Sequence, residues 1–141
     1  MSSSLFQLDI TNKDHLKLLK EFEKEHKGII IEEPSSNNEF NICLFNIKEN
    51  KINELCLLQG QKDIKICTIT CEEESRKIIL PATAYALDTL NMEEVFIKVK
   101  EDDKLSINLL NKNEYECLGE ENGSIIYLQE RKEVLEKHRN R

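Results

Sequence analysis

The chain has 141 residues, 39% of them hydrophobic and 33% charged, and a net charge of −7. That is the size of one ordinary domain with a single core. Its acidic balance argues against nucleic acid and anionic membrane as partners, since both draw on basic surface. No apolar run approaches the ~20 residues of a membrane span. The first ten residues, MSSSLFQLDI, lack the basic stretch and long apolar core of a signal peptide. A cytoplasmic protein with no nucleic-acid and no membrane partner is expected.

In chain order, residues 5–10 alternate weakly and are expected to form a first strand. Thr11, Asn12 and Asp14 offer capping side chains to a helix running to about Lys27, with Leu16, Leu19 and Phe22 on one face. Gly28 is a helix stop, 29–31 is a short apolar run, and 34–38 is a loop. Three strand candidates follow, at 40–48, 52–58 and 63–71. A hairpin turn falls at 49–51, and Gln59-Gly60-Gln61 is expected to end the middle strand. Apolar residues lie on both faces of these strands, which suits a central strand covered on both sides. The polar stretch 72–77 then leads into a helix carrying Ile78, Ile79, Ala82, Tyr85, Ala86 and Leu90. Pro81 sits either in its first turn or at a kink.

Residues 94–100 are a β-branched and aromatic run, a strand by composition. Asp102 and Asp103 can cap the next helix, in which Ser106, Leu109, Leu110 and Asn113 recur at helical spacing. A strand at 116–119, a turn ending at Gly123 and a strand at 124–129 close the pattern. The order is β-α-βββ-α-β-α-ββ. It implies an α/β (α+β) fold with a mixed, mostly antiparallel central sheet flanked by helices. Residues 1–130 are expected to be one domain and 131–141 a charged tail, which reads either as solvated or as a dock for an acidic partner. The five cysteines (Cys43, Cys56, Cys67, Cys71, Cys117) have no CxxC spacing, and His15, His26 and His138 have no ligand spacing. Reduced core thiols and no metal site are expected.

This order resembles the GNAT superfamily of acetyl-CoA-dependent N-acetyltransferases, most strongly over 63–129. The segment from Asp103 to Tyr115, DKLSINLLNKNEY, is similar to the family's N-x-x-S-x-x-L-L-x-K-x-G-F helix, and Leu90-Asn91-Met92-Glu93-Glu94-Val95 to the lead into its fifth strand. The resemblance implies that the fourth and fifth strands splay apart around the pantetheine arm. The arm would pair with the backbone of Ile66, Cys67, Thr68, Ile69 and Thr70. A turn and helix N-terminus would hold the pyrophosphate, here with Ser75, Arg76 and Lys77, while Asp103 and Ser106 would reach the phosphoadenosine end. A carboxylate would take the amine's proton, and a tyrosine would protonate the thiolate. The implied partners are acetyl-CoA and an amine acceptor, with a homodimer through strand edges as the assembly considered.

The chain departs from this pattern at several positions. The family's pyrophosphate turn is Q/R-x-x-G-x-G/A, whereas here it falls on TCEEES, with Glu73 in a glycine's place. The tyrosine position is Leu110, the helix-starting asparagine is Asp103, and the glycine of the GF pair is Glu114. Glu72 reads as a general base or as a solvated turn carboxylate. Tyr115 and Tyr127 read as replacement acids or as sheet tyrosines. Two functions from different classes follow: an N-acetyltransferase with an atypical phosphate turn, or a GNAT-fold binding or assembly module that has lost the cofactor.

Overall fold

The computed structural model describes residues 5–9, 11–25 and 38–131. The Gly28 stop, the 29–31 run, the loop over 34–37 and the tail beyond Arg131 lie outside the described residues. Asn12 starts the first helix, α1 (Lys13–Glu25). Its side-chain oxygen accepts from the amides of Asp14 and His15 at 2.9 and 3.2 Å, two donors that a first helical turn leaves unpaired. The strand before it, β1, is only Phe6–Gln7, paired with Phe45 and Leu44. It is shorter than expected because the chain turns at Asp9, whose carboxylate accepts from the amide and hydroxyl of Thr11 at 2.9 and 2.6 Å.

Strands β2 (Glu39–Lys48) and β3 (Lys51–Gln61) form a long hairpin. Its turn is Glu49-Asn50, with φ of 54° and 64°, the left-handed pair that matches strand twist in a two-residue loop. The middle strand does not end at Gly60 as expected. Gly60 pairs with both Phe40 and Cys67, and a Cβ there would lie 2.5 Å from the Ile66 carbonyl oxygen. Glycine serves here for close approach and not as a stop. The turn instead falls at residues 62–65, with Lys65 at φ 56°. The next strand, β4, is therefore Ile66–Cys71 instead of starting at 63, and Ile64 lies in the turn, 51% exposed.

After β4 a 3₁₀ turn (Glu73–Ile78) runs straight into α2 (Ile79–Asp88), which places Pro81 in the first helical turn. Strand β5 (Glu94–Lys100), α3 (Lys104–Lys112), β6 (Glu116–Glu121) and β7 (Ser124–Glu130) complete the chain. The seven strands make one sheet in the order β1-β2-β3-β4-β5-β7-β6. Only β4 and β5 are parallel. This is the mixed, mostly antiparallel α/β architecture expected.

Two apolar layers hold it. On one face Leu58, Ile69 and Ile97 pack with Ala82 and Ala86 of α2 and Leu110 of α3. On the other, Phe22 of α1 packs with Cys43, Phe45 and Leu55. Strands β2 and β3 both feed the two layers and are covered on both faces. Each fully buried side chain of this size is worth about 1.5–3 kcal/mol. Four cysteines lie in or beside these layers, but Cys117 is exposed on β6, contrary to the core reading, because every residue of that edge strand is exposed. Among the described residues, no helix is long and apolar enough to cross a membrane.

Candidate functional site

The parallel ladder between β4 and β5 runs from Ile66 opposite Glu94 to Ile69 opposite Ile97, and stops there. Both strands continue. Thr70 and Cys71 still pair with Leu57 and Cys56 of β3, while Lys98, Val99 and Lys100 still pair with β7. Each strand is thus held from its outer side, and their facing edges separate. A cleft of about 610 Å³ opens at this point. Ile69, Ile79, Ile97 and Val99 form apolar walls, and Glu72, Glu73 and Glu74 form one lip. Lys98, Lys100, Asp103 and Ser106 lie on the β5–α3 side. An open strand edge presents the alternating amide and carbonyl groups that an extended amide chain pairs with.

Between the 3₁₀ turn and α3 lies a closed polar group. Asp103 caps α3, its Oδ1 accepting from the Ser106 amide at 3.2 Å and from Arg76 Nη2 at 3.4 Å. The Ser106 hydroxyl donates to Asp103 Oδ2, and Arg76 Nε donates to that hydroxyl at 3.2 Å. Asp103 and Ser106 are buried, and the Arg76 side chain is 23% exposed. Burial acts to raise the Asp103 carboxyl. The Ser106 bonds and the Arg76 guanidinium outweigh it and hold the group below the usual carboxylate range.

The residues expected to touch a cofactor divide into groups. The backbones of Ile66, Cys67, Thr68 and Ile69, expected to pair with the arm, are laddered to both β3 and β5. The open edge begins at Thr70 and Cys71, and Ile69 contributes to the wall. Ser75 is 1% exposed and its hydroxyl accepts from the Leu55 amide at 3.1 Å. It does so because β4 ends opposite Cys56, leaving that amide without a strand partner on this side. Arg76 is engaged with Asp103 and Ser106. Lys77 is exposed and does not line the cleft.

Of the two candidate catalytic groups, Glu72 lines the cleft at the end of β4. Tyr115 does not. It is buried, and its hydroxyl donates to Thr83 Oγ1 at 2.7 Å, which in turn donates to the Ile79 carbonyl at 2.7 Å. Burial raises the Tyr115 phenol, and the Thr83 bond offsets part of this. Tyr127 is likewise in the core, donating to Asn111 Oδ1 at 3.1 Å, and Leu110 is fully buried.

Cys71 also lines the cleft. Burial, then the Glu54 and Asp103 carboxylates, push its thiol up to about 12, so at neutral pH it is no thiolate nucleophile. Sequence reasoning missed Lys98 and Lys100. The alternation in EVFIKVK, which puts Ile97 and Val99 inward and the two lysines outward, carried that signal. It also missed the buried Asn46–Glu54 pair, joined at 3.0 Å and by the Glu54 amide at 2.8 Å, where β2 changes register. Among the described residues, no group of three or more histidines, cysteines and carboxylates is placed to hold a metal.

No protein-family model and no curated protein matches the chain. Solved structures do match it in fold. The dodecameric spermidine N-acetyltransferase of Vibrio cholerae has a TM-score of 0.63 at 15% identity, over 95% of this chain and 96% of that one. A proposed acyl-CoA N-acyltransferase of Klebsiella pneumoniae has a TM-score of 0.60 at 8% identity, over 91% and 97%. The Campylobacter jejuni N-acetyltransferase PseH, in complex with acetyl coenzyme A, has a TM-score of 0.54 at 12% identity, over 86% and 80%. Identities this low establish the fold alone. The chain has the acyl-CoA N-acyltransferase fold of the GNAT proteins.

Proposed function

We propose that this chain, with the fold of the GNAT N-acetyltransferases, holds acetyl-CoA in the β4–β5 cleft and transfers its acetyl group to an amine acceptor. The observation that carries this reading is the parting of the two strands beyond Ile69 and Ile97, with a cleft of about 610 Å³ at that point. The open backbone edge of Thr70 and Cys71 suits the amides of a pantetheine arm, and the isoleucine-rich walls suit its methylenes. Acetyl-CoA would supply an activated acyl group. Glu72, at the end of β4 in the same cleft, would accept the amine's proton. The five cysteines are free thiols, which fits a reducing, cytoplasmic setting.

The phosphate end of the donor fits less well. Glu73 and Glu74 lie on the lip, and a carboxylate about 4 Å from a phosphate charge costs roughly 1 kcal/mol in water and about 4 at an effective dielectric near 20. That lip favours a second reading, a GNAT-fold binding or assembly module without cofactor. The exposed edge strand β6 would offer it a pairing surface for a homodimer. A thermal-shift titration with acetyl-CoA separates the two. Ligand at 100 times Kd stabilises by about 2.7 kcal/mol. Absence of any shift at millimolar acetyl-CoA would sink the transferase reading. Where a shift occurs, Glu73→Gly should enlarge it, and a smaller shift in that variant would refute the placement of the phosphate at this turn.

A further inference from the structure

Lys98 and Lys100 line the cleft from β5; the other groups near it that suit a phosphate are a guanidinium, a hydroxyl and the amide of a helix N-terminus, donor types that hold phosphate in proteins. In this chain they are Arg76, the Ser106 hydroxyl and the Ser106 amide, and all of them converge on one carboxylate. Asp103 Oδ1 accepts from the Ser106 amide and Arg76 Nη2. Its Oδ2 accepts from the Ser106 hydroxyl, which also receives Arg76 Nε. Asp103 and Ser106 line the cleft beside the β5 edge.

We infer that Asp103 is a built-in competitor for phosphate: its carboxylate occupies the donors of Arg76 and Ser106, and a phosphorylated ligand gains them only by displacing it. The inference rests on the reading that a pantetheine thioester enters the β4–β5 cleft, and it specifies which part of that donor the site recognises. Three observations combine. Asp103 is covalently fixed in place, so it competes at high effective concentration. It is 8% exposed, so once displaced it would be left as a buried carboxylate without its cation, an expensive state. Glu73 and Glu74, which also line the cleft, add repulsion to the same incoming charge. The native site therefore recognises its donor chiefly through the pantetheine segment, with Arg76 and Ser106 withheld from the nucleotide phosphates.

The test is calorimetric titration of the full chain with two ligands, acetyl-CoA and acetyl-pantetheine, the second lacking every phosphate. The native protein should bind them with comparable affinity. Asp103→Asn removes the charge yet keeps an oxygen acceptor at the cap. It should tighten acetyl-CoA about tenfold, the scale of one charge-assisted hydrogen bond, and leave acetyl-pantetheine unchanged. Asp103→Ser should do the same and covers the case in which the asparagine variant fails to fold. Adding Arg76→Gln to Asp103→Asn should abolish the gain.

Unchanged or weaker acetyl-CoA binding in both Asp103 variants, with acetyl-pantetheine still bound, overturns the inference and leaves the cleft reading standing. An equal gain for both ligands also overturns it. Failure of acetyl-pantetheine to bind any variant removes the cleft reading itself, and the inference with it.

Discussion

The two ends of the β4–β5 pair are unlike: one is packed and laddered, the other open and lined by charge. At the closed end Cys67, Ile69, Val95 and Ile97 are between 0% and 2% exposed, beneath α2. Immediately beyond, Glu72 follows the end of β4 on one side and β5 carries Lys98 and Lys100 on the other. The ladder is not lost for want of strand-forming residues, since both strands continue. It is lost because each is anchored on its outer side, β4 by β3 and β5 by β7, while Ser75 secures the 3₁₀ turn to Leu55. A gap made by its anchors keeps its place whatever side chains line it.

The comparison breaks first at Gly60. If the closed end is as tightly set as described, Gly60→Ala should cost about 3 kcal/mol or more. The added Cβ meets the Ile66 carbonyl oxygen at 2.5 Å and Cys67 Cβ at 2.7 Å, and neither belongs to a flexible side-chain tip. Urea unfolding measures it, and a loss under about 1 kcal/mol would mean that the strands do not approach so closely. Next comes Ser75→Ala, which leaves the buried Leu55 amide unpaired and should cost about 2 kcal/mol. Its acetyl-CoA affinity should also fall, since the turn anchors one wall of the gap. Full affinity in that variant would show that the anchor does not hold the cleft open.

A smaller effect is expected at Tyr115, which belongs to the closed, packed part of the molecule. Tyr115→Phe removes one buried hydroxyl bond to Thr83 and should cost about 1 kcal/mol in chemical denaturation. Turnover, where measurable, should be unaffected. A fall of a hundredfold or more in kcat, with stability intact, would instead place the phenol in the chemistry.

The elements that flank the cleft were largely readable from sequence, and the gap between them was not. Residues 94–100 show strand composition, and Asp103 with the spacing of Ser106 and Leu110 shows a capped helix; both are local signals, and both match the structure. Gly60 misled because a glycine between two glutamines looks like a turn until Phe40 and Cys67 are known to flank it. That knowledge is non-local. The same holds for the Arg76–Asp103 pair, 27 residues apart. Before folding, the arginine reads as an available cation and the aspartate as a simple cap. The end of the ladder at Ile69 and Ile97 has no sequence signature, since the anchors that impose it come from β3, β7 and Ser75.

The smallest effect tests the open end alone. Glu73 and Glu74 are exposed at the lip and contribute to no described core cluster. The double change Glu73→Gln, Glu74→Gln should therefore leave stability within about 0.5 kcal/mol and tighten acetyl-CoA by roughly two- to fivefold at low salt. Acetyl-pantetheine should not respond. Because exposed charges are screened over about 10 Å at 0.1 M salt and about 3 Å at 1 M, the gain should fade as salt is raised. The gain from Asp103→Asn should persist, since that carboxylate is buried. Two gains with the same salt dependence would put Asp103 and the lip glutamates in one solvent-exposed field, and the distinction between a packed competitor and a charged lip would fall.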